Sequence, residues 1–189
     1  MKIGLYFGSF NPVHIGHCII ANHFVQNTDL DRVWLIVSPQ NPFKESASLL
    51  NEYHRLHLAK LATEDVNHLK ASDIEFHLPR PSYTIDTLTY LKEKHPDHEF
   101  SIILGSDGLQ NLHKWKNADV LAKNYRLLVY KRPGFEIVNT LQAKMEVAEA
   151  PLLEISSTYI REMIRQGKSI RYLVPDKVRD EIELYHYYK

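Results

Sequence analysis

Gly8-Ser9-Phe10-Asn11-Pro12-Val13-His14-Ile15-Gly16-His17 is the stretch on which the reading of this chain turns. An apolar run, Ile3 to Phe7, precedes it. A helical pattern follows from about Ile15 to Gln26, with Cys18, Ala21 and Val25 at i, i+3 and i+7 and Phe24 beside them. A buried strand therefore hands over to a helix here. The first-turn backbone N–H groups of such a helix lack internal partners and carry partial positive charge. That is an anion site, and phosphate is the usual anion. Gly8 and Gly16 remove side chains where phosphates would approach closely. His14 and His17, three residues apart, fall on the same side of the first turn and add two donors.

Other readings of the same residues stand beside this one. The histidines could bind a metal, although no carboxylate lies close by and Cys18 belongs to the apolar face. They could be two surface residues among eleven histidines, and the glycines could be turn punctuation. The strand–turn–helix context favours phosphate. Neither GxGxxG nor GxxxxGK[ST] occurs anywhere in the chain.

At 189 residues the chain fits one domain with a core large enough to be stable alone. A hydrophobic fraction of 44% and a charged fraction of 24% fit a soluble globular protein. Formal net charge is zero, which argues against a broad basic surface for nucleic acid or anionic membrane. Any positive charge that handles phosphate must then be local. Cys18 is the only cysteine, which excludes an internal disulfide and a multi-cysteine zinc site. Its place on the apolar face makes it a small core residue rather than a nucleophile. No signal-peptide pattern opens the chain and no apolar run is long enough for a bilayer. A cytoplasmic enzyme or binding protein is expected.

Further along, Val33 to Val37 reads as a buried parallel strand, and Ser38 to Lys44 as a proline-broken loop at its exit, with Lys44 its only cation. Lys44 is equally readable as a solvated surface lysine. Asn51 to Thr63 reads as a helix with Leu58, Leu61 and Ala62 inward and Arg55 turned back toward the site. Leu69 to Phe76 is a half-polar strand. The loop His77 to Thr84 then runs into a helix ending near Lys94, with Leu88 and Leu91 inward and Ser82 as N-cap. Glu99 to Leu104 is a strand, followed by Gly105-Ser106-Asp107-Gly108. That turn suits a ribose diol, or equally a plain turn with Asp107 as N-cap. Trp115, between two lysines, suits an aromatic face open to a cleft. Tyr125 to Lys131 is a strand ended by Arg132-Pro133-Gly134, Phe135 to Met145 a helix, and Pro151 to Ile155 a short extended run. Ser156-Ser157-Thr158 opens a helix with Ile160, Met163 and Ile164 inward and Gly167 as its stop. Arg161 in its first turn makes a second anion site. Pro175 starts a last helix with Val178, Ile182 and Tyr185 on one face. This alternation predicts a doubly wound parallel sheet with ligands beyond the carboxyl ends of its strands.

The opening stretch resembles the (T/S)-F-(D/N)-P-x-H-x-G-H signature of the HxGH nucleotidyltransferase superfamily. Ile155-Ser156-Ser157-Thr158-Tyr159-Ile160-Arg161 is similar to its I-S-S-T-x-I-R signature. Leu104-Gly105-Ser106-Asp107 with Trp115, Pro81 to Leu88 and Arg171-Tyr172-Leu173-Val174-Pro175 resemble segments of one branch, the bacterial nicotinate-nucleotide adenylyltransferases. The first motif departs slightly, with Phe7-Gly8 where many relatives carry Gly-Gly, which predicts some added strain at that turn.

The resemblance implies a Rossmann-like fold in a single domain, residues 156–189 being a C-terminal helical part that completes the ATP site. It implies transfer of AMP from ATP to nicotinate mononucleotide, with Mg²⁺, giving deamido-NAD and pyrophosphate. It assigns His14, His17, Lys44 and Arg161 to catalysis. ATP would be bound by Gly8, Ser9, Phe10, His14, Gly16, His17, Gly105, Asp107, Ile155, Ser156, Ser157, Thr158 and Arg161. The mononucleotide would be bound by Lys44, Tyr83, Thr84 and Trp115. No protein ligand to a metal is assigned, no nucleic acid or membrane partner is implied, and a homo-oligomer stays open. Two alternatives remain: a sister adenylyltransferase acting on phosphopantetheine, and a nucleotide-binding sensor without turnover.

Overall fold

The computed structural model describes residues 1–40, 49–151 and 154–189. Along the chain come β1 (Lys2–Gly8), α1 (Ile15–Asn27), β2 (Arg32–Val37), α2 (Glu52–Thr63) and β3 (Leu69–Ser72). Next are α3 (Thr84–Lys94), β4 (Glu99–Gly105), α4 (Ser106–Gln110), α5 (Ala118–Asn124) and β5 (Arg126–Tyr130). β6 (Met145–Ala148), α6 (Ser157–Arg165) and α7 (Asp176–Leu184) complete it.

The strands form one sheet in the order β3-β2-β1-β4-β5-β6, and every neighbouring pair is parallel. Such a sheet must bury both faces, and the strand sequences comply. Val33, Leu35 and Val37 of β2 enter one core with residues of α1, α2, α6 and α7, while Trp34 and Ile36 enter another with residues of α3 and α5. Phe24, fully buried, anchors α1 in the first core. The chain order reverses between β1 and β4. Their pairing stops at Tyr6↔Ile103, while β1 stays paired with β2 as far as Gly8↔Val37. Beyond Tyr6 the two central strands part and a crevice opens at the switch point, where ligands of open α/β sheets bind.

Several local expectations need correction. Residues Phe135 to Met145 are not helical: Gly134 (φ 80°) and Gln142 (φ 50°) turn left-handed, and β6 begins at Met145. The Asn139 side chain accepts from Ala143 N–H and donates to its carbonyl, both at 2.9 Å, so a side chain replaces the helical ladder. The sixth strand is thus Met145–Ala148, and the described residues of Pro151–Ile155 form no strand. β3 ends at Ser72, and Ile74–His77 is a 3-10 turn. On α1 the buried set is Gly16, Ile20, Ala21 and Phe24, with Cys18 and Val25 only partly covered. Leu61, Ala62 and Met163 are likewise partly buried, and Tyr185 is exposed. Gly167 does end α6 in the left-handed region, at φ 66°. In the first motif the left-handed residue is Phe10 (φ 44°), two positions past the Phe7-Gly8 departure.

Candidate active site

A cavity of about 1070 Å³ lies over the crevice between β1 and β4. From β1 and its exit, Gly8, Ser9, Phe10, His14, Gly16 and His17 line it. Gly105 and Asp107 come from the end of β4, Ile155, Ser156, Ser157, Thr158 and Arg161 from the start of α6, and Tyr83, Thr84 and Trp115 from the α3 side. The sheet topology thus brings together sequence-predicted residues up to about 150 positions apart. Lys44 lies outside the described residues.

His14 is the N-cap of α1, and its backbone N–H donates to His17 Nδ1 at 3.2 Å. A nitrogen that accepts carries no proton, so the neutral His17 ring holds its proton on Nε2. The two imidazoles stack with centroids 3.6 Å apart. Gly16 lets the His14 ring sit there, since a Cβ at that position would be 3.1 Å from it. His14 is nearly buried, and burial, with the charge of Arg132 adding, pushes its pKa down to about 4. It is therefore neutral near pH 7, and its buried Nδ1 has no hydrogen-bond partner among the described residues. The backbone part of the predicted anion site is narrower than expected. Ile15 N–H donates to the Leu173 carbonyl and His17 N–H to that of His14, both at 2.9 Å.

The α6 residues do two jobs. Ser156 caps the helix, accepting from Tyr159 N–H at 3.1 Å. Ser157 Oγ donates to the Pro12 carbonyl at 2.9 Å, and Arg161 Nη1 to the Asn11 carbonyl at 2.7 Å. Arg161 also reaches Thr158 Oγ1 at 3.3 Å, and its buried Nε has no hydrogen-bond partner among the described residues. The start of α6 is thereby latched onto the loop after β1.

At the end of β4, a Cβ on Gly105 would collide with the Asp107 carboxylate and lie 2.9 Å from Arg132 Cδ. Asp107 is not an N-cap; its Oδ2 pairs with Arg132 Nη1 at 3.1 Å, while Arg132 N–H donates to Ser106 Oγ at 2.9 Å. Tyr6 and Tyr130 meet beneath, hydroxyl to hydroxyl at 3.2 Å. On the α3 side, Tyr83 rather than Ser82 is the N-cap, and Ser82 Oγ turns to Glu75. Trp115 lines the cavity with its body packed against the second core. Lys116, 4.8 Å over the Tyr83 ring, pairs with Asp86 at 2.8 Å.

Arg55, fully buried, does turn toward the site. It donates to four backbone carbonyls: Leu50 at 2.7 Å, Ser9 at 2.6 Å, Ser38 at 2.7 Å and Pro39 at 2.9 Å. It holds the loop after β1 against the loop after β2. Arg132 and Glu75 also line the cavity, though no motif in the sequence marks either. The position of Arg132 two residues beyond the end of β5 was an available signal, since strand exits carry the ligand chemistry. Glu75 had none, because its partners come from other segments.

Glycine-lined helix starts, two histidines and an arginine over the switch point of a parallel sheet define a nucleotide-handling α/β protein. The chain belongs to the cytidylyltransferase-like family, whose model matches residues 5–163. Within that class, it is 51% identical to a probable nicotinate-nucleotide adenylyltransferase of Flavobacterium psychrophilum, the alignment covering all of both chains. The probable nicotinate-nucleotide adenylyltransferase of Cytophaga hutchinsonii is 50% identical, over all of this chain and 98% of its own. The fold is also that of a Plasmodium falciparum nicotinic acid mononucleotide adenylyltransferase solved with NaAD (TM-score 0.83, 22% identity, covering 99% of this chain and 97% of that one). Among the described residues, no helix is long and apolar enough to cross a membrane.

Proposed function

We propose that the chain transfers the adenylyl group of ATP to nicotinate mononucleotide, giving deamido-NAD and pyrophosphate. One observation carries this: a single cavity joins the donors of α1 and α6 on one face of the sheet to Tyr83, Thr84 and Trp115 on the other. Its volume, about 1070 Å³, lies at the upper end of the range of ligand pockets. Full-length identity of about half to proteins named for this activity favours it over phosphopantetheine as acceptor and over a sensor without turnover.

The 5′-phosphate oxygen of the mononucleotide attacks the α-phosphorus of ATP, forming one P–O bond as the bond to the pyrophosphate oxygen breaks. The attacking phosphate is already ionised, so no protein nucleophile is required. Catalysis is positioning plus stabilisation of negative charge. His17 Nε2–H donates to the phosphate oxygens where charge builds. His14, neutral, acts as a hydrogen-bond donor rather than as a cation. Arg161 supplies positive charge, together with Lys44, and Ser156, Ser157 and Thr158 frame the triphosphate. Ser9, Phe10 and Ile155 shape that wall, and Gly105 and Asp107 hold adenosine. Tyr83, Thr84 and Trp115 hold the pyridine ring.

No three or more His, Cys, Asp or Glu residues converge as a metal cage among the described residues. A Mg²⁺ held by the nucleotide's own phosphates and water would need no such cage. When bound, the ion neutralises triphosphate charge. A pyrophosphate-release assay with ATP, Mg²⁺ and a panel of mononucleotide and phosphopantetheine acceptors tests this reading. Turnover is expected with nicotinate mononucleotide and is lost on chelating the metal. Release without acceptor, or release undiminished by chelation, refutes it.

A further inference from the structure

Glu75, 2% exposed, lines the cavity, and among the described residues it pairs with no lysine, arginine or histidine. Its carboxylate accepts from hydroxyls instead: Oε2 from Ser82 Oγ at 2.7 Å and Oε1 from Thr87 Oγ1 at 3.0 Å. Burial pushes its carboxyl up, and hydrogen bonds from Ser82, Ser38 and Thr87 oppose the rise. These three hydroxyls belong to the segments that wall the acceptor end. Ser38 leaves β2, its N–H donating to the Gly8 carbonyl at 2.9 Å and its carbonyl accepting from Arg55 at 2.7 Å. Ser82 precedes Tyr83, the N-cap of α3, and Thr87 lies in the first turn of that helix.

Withdrawing a carboxylate from water without a cation is strongly unfavourable, and a neutral side chain of the same size serves folding at least as well. A charge that the fold does not reward points to the site instead. We propose that Glu75 is a positioning residue for the acceptor. By fixing Ser82 and Thr87, it sets where Tyr83 and the first N–H groups of α3 face the pyridine ring. The inference rests on the acceptor lying against Tyr83, Thr84 and Trp115. The ATP end is held by separate contacts, those of Ser157 and Arg161 to Pro12 and Asn11, so the effect of Glu75 falls on one substrate.

The experiment is steady-state kinetics with each substrate varied in turn, alongside thermal unfolding, for the parent, Glu75→Gln and Thr87→Val. Glu75→Gln keeps the volume and removes the charge and one acceptor. Its KM for the mononucleotide should rise about tenfold or more, while KM for ATP stays within about twofold. Its Tm should equal or exceed that of the parent, a combination a structural role does not produce. Thr87→Val, which removes one of the hydroxyls, should show the same split more mildly and stands in if Glu75→Gln does not fold. An unchanged acceptor KM, or two KM values that rise together with Tm lower by more than about 5 °C, overturns the proposal. Parent enzyme inactive with nicotinate mononucleotide would instead refute the acceptor assignment. The split is then measured with the mononucleotide that the parent does turn over.

Discussion

Replacing Arg55 with methionine is the perturbation that tests the architecture of the site most directly. The guanidinium is fully buried and makes four hydrogen bonds of 2.6–2.9 Å, all to backbone carbonyls. Hydrogen bonds from a charged donor each contribute about 1.5–3 kcal/mol, so their gross sum is roughly 6–12 kcal/mol. Against this stands the desolvation of the cation, several kcal/mol, which methionine abolishes. The difference resembles the loss of one partner from a buried polar cluster, about 3–5 kcal/mol. For a domain of this size each kcal/mol moves Tm by about 2–4 °C, so a drop of roughly 6–20 °C is expected. Arg55→Lys should recover less than half of it, because one ammonium cannot span carbonyls on three segments. Differential scanning calorimetry reads both variants. A Tm for Arg55→Met within about 2 °C of the parent would refute the carbonyl-clamp account.

Three further outcomes follow. His17→Ala should lower kcat by about 10²–10³ with little change in KM, as loss of a donor that acts on developing charge does; a fall below about fivefold in the folded variant makes His17 structural. His14 has its pKa pushed down to about 4, so between that value and its ordinary 6.5 the unfolded chain binds more protons than the folded one. Its contribution, on the order of 3 kcal/mol, is complete above about pH 6.5 and is lost as pH falls toward 4; His14→Gln should flatten stability over pH 5–6.5, and an unaltered slope there argues against it. Backbone N–H donors at the start of α3 have no use for an amide's NH₂, so kcat/KM for nicotinate mononucleotide should exceed that for nicotinamide mononucleotide by about 10–100. Trp115→Ala should weaken both while keeping their ratio within a few-fold, and a parent ratio near one refutes the helix-start account.

Where a strand run abutted a glycine and a polar motif, the sequence was legible: β1 into Gly8–His17 and β4 into Gly105–Asp107; the start of α6 was legible from its run of hydroxyls alone. Local signals suffice there, because strand hydrophobicity and helix-start chemistry are written side by side. Phe135 to Met145 misled for a physical reason. Ile137, Val138 and Leu141 have helical spacing, but Asn139 satisfies the backbone of Ala143 with its own side chain and closes a turn. Ser82 was read as a cap because it stands before a helix; its hydroxyl goes to Glu75, whose place beneath α3 exists only in three dimensions. Glu75 was only one of four polar residues, with Lys70, Ser72 and Asp73, that made Leu69 to Phe76 look like a half-polar strand. The four-carbonyl grip of Arg55 was equally hidden, since backbone acceptors leave no trace in side-chain patterns.

The hydrogen bond from Arg161 to the Asn11 carbonyl spans 150 positions of sequence. During translation at about 5–20 residues per second, Asn11 is made roughly 8–30 s before the side chain that completes its wall. Throughout that interval the opening motif exists on the nascent chain without its arginine and its second helix start. An emerging chain therefore does not hold a finished copy of the proposed triphosphate site in a cell full of ATP. Competence for catalysis waits on the synthesis of α6.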